Sequence, residues 1–182
     1  MRAVRLPVTI VCVVLALALS SEARALDDQY RVKASVLYKL ARFVDWPPAS
    51  FPTAATPVTL CVLGVDPFGL LLEEAFQGRQ VDGRSVAIRR GGDVDTRCHI
   101  LFVSKSERKR RGAVLERLSA SPVLTVGEDE GFGAAGGIIE LTTGNDQIRV
   151  AINNGAAQRA GLRVSARLLS LASQSGWLDV SR

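Results

Sequence analysis

The chain has one histidine and three cysteines in 182 residues, and only one apolar run near membrane length. Each scarcity removes a class of function. A single histidine, His99, leaves no convincing Ser-His-Asp set, and one histidine with two cysteines falls short of the four ligands of a structural zinc site. No G-x-G-x-x-G or Walker pattern occurs, so the glycines of "VLGVDPFG" and "TVGEDEGFGAAGGI" read as loop residues needing positive φ, not as a phosphate cradle. No internal repeat or low-complexity tract is present either.

The apolar run lies at the start, from Leu6 to Leu19, behind Arg2 and Arg5 and ahead of Ala23-Arg24-Ala25. It falls short of the roughly 20 residues of a spanning helix, and the small-x-small triplet is a cleavage signature. Residues 1–25 are therefore expected to be a cleaved secretory signal, with a single domain over 26–182. The segment takes three arginines and one glutamate with it, so a net charge of +5 becomes +3. That mild basicity gives no case for nucleic acid in an exported protein; it suits work near an anionic membrane surface.

Export changes the meaning of the cysteines. With Cys12 removed, Cys61 and Cys98 remain, 37 residues apart in the strand-like segments "VTLCVLGV" and "CHILFVS". Neighbouring strands lie within disulfide reach, and an oxidising compartment favours the bridge. Closing that loop is worth about 4 kcal/mol in the chain-entropy model. Free structural thiols are the alternative. A Cys98 nucleophile with His99 as its base is disfavoured, because adjacent strand residues point to opposite faces; a buried, hydrogen-bonded imidazole is expected instead.

The rest reads as alternating elements. Residues 27–48 form an amphipathic helix with Tyr30, Ala34, Leu37, Ala41 and Val44 on one face, stopped by Pro47-Pro48. Strands are expected in "VTLCVLGV", "RSVAIRR", "HILFVSK" and "PVLTVGED", with two more around Gly144-Asn145-Asp146, and helices in "DPFGLLLEEAFQG" and "SERKRRGAVLERLSA". A long last helix is expected over "GAAQRAGLRVSARLLSLAS", carrying Ala157, Gly161, Val164, Leu168 and Leu171 inward and Arg159, Arg163 and Arg167 outward as a stripe at i, i+4, i+8. Helices between short apolar strands predict an α/β fold, a mixed, mostly parallel sheet with helices on both faces. Glu128, Asp129 and Glu130 follow a strand end, where α/β sheets keep ligand sites, but their spacing matches no calcium loop and a solvated turn is the simpler reading. The run Lys105, Arg108, Lys109, Arg110, Arg111 and the arginine stripe are the candidate partner-facing charges.

Several of these stretches together, "VKASVLYKLARFVDWP", "VTLCVLGVDPFG", "CHILFVSKSE" and "IRVAINNGAAQRAGLRVSARLLSLA", resemble the YfiR family of periplasmic proteins. The most specific pieces are Phe43-Val44-Asp45-Trp46-Pro47, Ala160-Gly161-Leu162 and Ser165-Ala166-Arg167-Leu168-Leu169. The resemblance implies a compact α/β domain without catalysis, cofactor or metal. It implies a partner in the periplasmic sensor region of an inner-membrane protein, a diguanylate cyclase, whose repression lowers cyclic di-GMP and biofilm formation. A homodimer is compatible with it. It also implies a disulfide where Cys61 and Cys98 stand, whereas the second bridge of some relatives has no cysteines here. The competing expectation is a periplasmic small-molecule sensor with its pocket at the strand ends near Asp66 and Glu128.

Overall fold

The computed structural model describes residues 26–93, 95–144 and 147–174; the expected signal segment lies outside them. The first helix, α1, covers residues 26–41. Its inward face is Tyr30, Lys33, Leu37 and Leu40, continued by Val44, all buried, together with Ala34 and Ala41. Val44 is buried as the periodicity predicts, but in a strand: Arg42 and Phe43 donate to the carbonyls of Lys39 and Leu40 and end the helix. The chain then extends as β1 (Val44–Asp45) into Pro47-Pro48, which exclude further helix.

Six strands form the main sheet: β2 (Val58–Leu63), β3 (Val86–Arg90), β4 (Ile100–Val103), β5 (Leu124–Gly127), β6 (Ile139–Gly144) and β7 (Gln147–Ile152). Their spatial order is β3-β2-β4-β5-β6-β7. All neighbours are parallel except the β6–β7 hairpin, so the mixed, mostly parallel sheet is as the sequence predicts. β2, β4 and β5 are apolar almost throughout because both their faces are covered. Alternate residues sort into two cores. Leu60, Val62, Ile100, Phe102, Leu124 and Val126 meet α1, α2 (Leu71–Phe76), α4 (Asn154–Arg159) and α5 (Ala166–Gln174). Cys61, Leu63, Leu101, Val103 and Val123 meet the single helix α3 (Arg111–Leu118) through Val114, Leu115 and Leu118.

The long last helix is not formed. α4 is capped by Asn153, whose Oδ1 accepts from the Ala156 N–H at 2.9 Å. It ends at Gly161, φ +74°, with Gly161 N–H on the Gln158 carbonyl and Leu162 N–H on that of Ala157, the paired bonds of a left-handed glycine cap. Arg163–Val164 then run extended as β8, antiparallel to β1 with Val44 opposite Val164 and Asp45 opposite Arg163. Ser165 restarts the chain as α5 through bonds to the Leu168 N–H. The signal was present: a glycine inside the helical pattern, then a β-branched residue, then a capping serine.

β2 turns off towards α2 and β3, whereas β4 turns off the other way towards α3 and β5. Crevices at such a reversal usually hold the ligand of a parallel sheet. Here a 3-10 turn, Lys105–Glu107, fills it: the Val65 N–H donates to Ser106 Oγ at 2.9 Å, and a β-carbon on Gly64 would overlap Ser106 and Glu107.

A β-carbon at Gly161 would meet nothing within 4 Å, so G161A carries only the left-handed backbone penalty. Urea unfolding should show a loss of about 1 kcal/mol with an unchanged m-value.

Candidate functional site

The last residue of β5 is Gly127, and the turn beyond it folds back because the buried Phe132 ring lies between Gly127 and Gly137, where β-carbons would overlap it. That turn drives Glu128 inward instead of into solvent. Its side chain is 1% exposed, and Oε2 lies 2.6 Å from Nζ of Lys33, also 1% exposed. The Tyr30 hydroxyl donates to the same oxygen at 3.0 Å, and the ammonium sits 4.5 Å from the Tyr30 ring centre. Burial, and then the Glu128 charge, push the Tyr30 phenol well above its ordinary range, so it stays a donor. One turn of α1 thus presents a phenol and an ammonium to one carboxylate at the carboxyl end of the sheet. The solvated acidic turn expected for residues 128–130 is correct only for exposed Glu130; half-buried Asp129 lies 3.7 Å from Arg111.

Lys33 and Tyr30 were not singled out as polar site residues by the sequence reading. The signal that could have found Lys33 is its register: Tyr30, Lys33, Leu37, Leu40 and Val44 step by three and four, so a lysine occupies a core position and requires a buried counter-charge.

Asp66, the other acid expected near a strand-end pocket, does not share a cavity with Glu128 among the described residues. It accepts from Arg90 Nε at 2.6 Å, and the same guanidinium forks onto Glu73 at 2.5 and 2.8 Å, tying the loop after β2 to β3.

Cys61 and Cys98 are joined, with Cα atoms 5.9 Å apart, tying β2 to the segment that enters β4. A groove of about 410 Å³ beside the bridge is lined by Arg89, Asp95 and Arg97. His99 points into the opposite face of the sheet. Its Nδ1 accepts from the Thr59 N–H at 3.0 Å, which leaves the proton on Nε2 to reach the Ser50 carbonyl at 3.1 Å. The ring stacks on Phe51 at 4.5 Å, and burial lowers its pKa. It is a structural imidazole, and the disulfide leaves Cys98 no thiolate to activate.

Arg159, Arg163 and Arg167 do not form a helical stripe. Arg159 closes α4 and lines a crevice against Leu115 and Leu118 of α3, Arg163 lies in β8, and Arg167 is in α5. All three are exposed, and none forms an ion pair among the described residues.

The two most specific blocks of the sequence, from opposite ends of the chain, meet in the β1–β8 ribbon. The Ser165 N–H donates to the Phe43 carbonyl at 2.9 Å, and Trp46 Nε1 donates to the His99 carbonyl at 3.1 Å, pinning the ribbon to β4. A family model described as YfiR/HmsC-like matches residues 30–173, which takes in both blocks and every strand between them. The chain belongs to the YfiR/HmsC-like family. The family is periplasmic and regulatory rather than catalytic, and it points in general to control of cyclic di-GMP signalling. No helix among the described residues is long and apolar enough to cross a membrane.

Breaking the buried pair on one side should cost about 3–5 kcal/mol, because the remaining charge is left unpaired. K33M and E128L should each show that loss in chemical unfolding, and the K33M/E128L double variant should recover most of it, a coupling read from the four stabilities.

The His99 bonds give a pH signature. The native imidazole resists protonation, so its contribution is complete above the unfolded value of about 6.5 and lost as pH falls from there towards the lower native value. The melting temperature should therefore fall from pH 7 towards pH 5. H99Q should flatten that slope; an unchanged slope would assign it to other groups.

Proposed function

We propose that this protein is an exported periplasmic repressor that binds the sensor region of an inner-membrane diguanylate cyclase and holds it inactive. The observation that carries this reading is the YfiR/HmsC-like match across residues 30–173. Repression of this kind requires only a difference in affinity: preferring the inactive sensor tenfold is worth about 1.4 kcal/mol. The contact surface we assign is the face around the β1–β8 ribbon and α5, through Arg163 and Arg167, with Arg159 at its edge. Exposed guanidiniums that form no ion pair among the described residues can fork onto carboxylates of another protein. The Cys61–Cys98 bridge supports this face indirectly, by holding β2 against the start of β4.

Photo-crosslinkers placed at positions 163 and 167 in intact cell envelope should capture an inner-membrane protein with a cyclase domain. The R159E/R163E/R167E variant should keep its melting temperature within a few degrees. It should raise cellular cyclic di-GMP as far as gene deletion does. Capture of soluble proteins alone, or unchanged cyclic di-GMP in the deletion strain, would overturn the reading.

A further inference from the structure

A cleft of about 240 Å³ opens at the carboxyl ends of β4, β5 and β6, one strand beyond the filled reversal point. Every residue that lines it is polar or charged. Lys33 and Glu128 form the floor, Lys105 and Arg108 stand on the β4 side, Asp129 and Glu130 on the β5 side, and Thr142 and Thr143 on β6. Several of these charges are already matched internally. Lys33 is held by Glu128, and Asp129 faces Arg111. Among the described residues lining the cleft, Lys105 and Arg108 remain against Glu130, so the unmatched balance is one positive charge.

The floor is what distinguishes this cleft from an ordinary wet surface. Lys33 is 1% exposed and has three N–H donors, yet among the described residues its polar contacts amount to one carboxylate, with an aromatic ring beside it. The remaining donors of a buried ammonium call for a further oxygen at the cleft floor. With no apolar side chain in its lining, the cleft favours a polar ligand over a hydrophobic one. With one net positive charge it suits a monoanion, and the planar guanidinium of Arg108 suits a carboxylate. The Thr142 hydroxyl and Glu130 then have hydroxyl groups to bind, while Thr143 already accepts from Gln29. Phosphate fits less well, because a dianion would face the flanking carboxylates of Asp129 and Glu130 with only one balancing positive charge.

We propose that this cleft is a binding site for a small hydroxylated monocarboxylate of the sugar-acid class, whose carboxylate is taken by Lys105 and Arg108 and whose hydroxyls replace water on Lys33, Glu130 and Thr142. The site lies at the far end of the sheet from the β1–β8 ribbon, so it stands or falls independently of the cyclase reading.

The test is a thermal-shift and calorimetric comparison on the purified exported protein, with D-glucuronate as probe. D-glucose supplies the same hydroxyls without the carboxylate, sodium phosphate supplies charge without carbon, and sodium chloride matches ionic strength. Glucuronate, on the order of 10 mM, should raise the melting temperature by a few degrees, whereas glucose, phosphate and chloride should not. K105A/R108A removes only exposed cations without ion pairs among the described residues and should fold normally. It should weaken glucuronate binding about tenfold or more, whereas K109A next to them should bind as the parent does. No glucuronate shift, an equal shift with glucose, a shift with phosphate alone, or full binding by K105A/R108A would each overturn the proposal.

Discussion

A buried ammonium against a buried carboxylate is the constraint from which much of this architecture follows. Taking both charges out of water costs several kcal/mol per ion, and the pair persists only because its surroundings fix the geometry. Tyr30 supplies a second donor to Glu128, and Phe132, wedged between two glycines, turns the carboxylate inward. The apolar stripe of α1 holds Lys33 at the sheet. An apolar pair would fill the space at lower cost. A charged pair instead specifies one register of α1 on the sheet, since sliding the helix by a residue would strand both charges. It also leaves spare donors at the floor of an open polar cleft, which an apolar pair would not.

The other end of α1 is fixed differently. After the helix stops, Val44 and Asp45 pair with Arg163 and Val164, and Trp46 reaches the His99 carbonyl. Local propensity alone would continue both flanking helices; pairing two residues with two others across the chain overrides it, because each strand satisfies backbone groups that the other exposes. The disulfide acts on the opposite face, where one helix covers the sheet and the core is smaller. Covalent restraint and packing are thus divided: four helices hold one face, and one helix with a bridge holds the other.

This division explains what was legible in the sequence. The strands were readable because runs such as Leu60–Leu63 and Ile100–Val103 are apolar on both faces, a pattern that needs no partner to be recognised. The cysteine pairing and the inert His99 followed from compartment and strand alternation. The break in the last helix was not read, because its apolar spacing of four and three continues through Gly161. Gly161, Val164 and Ser165 carry a weak local signal for the break, but it takes the cap bonds and the distant Val44 to show that the pattern serves two helices and a strand. The cleft was half visible: Glu128 was placed at a strand end, but its inward turn depends on Phe132 packing and its partner lies 95 residues earlier. Such pairings cannot be read from local spacing, although a lysine in a core register announces that some counter-charge exists.

The geometry also constrains how the two ends of the molecule could communicate. α1 runs from the carboxyl end of the sheet, where Tyr30 and Lys33 meet Glu128, to the amino end, where Val44 and Trp46 meet the ribbon and His99. Its 16 residues span about 24 Å, and it reaches the polar cleft at one end and leads into the ribbon at the other. A molecule bound in the cleft can alter partner binding only if it favours one position of this helix over another. Linkage then requires the partner to change the affinity of the cleft by the same factor. The buried ion pair makes intermediate positions of the helix costly, since any shift lengthens a contact that water cannot replace. Motion of α1 would therefore be stepwise, with Lys33 either held against Glu128 or parted from it.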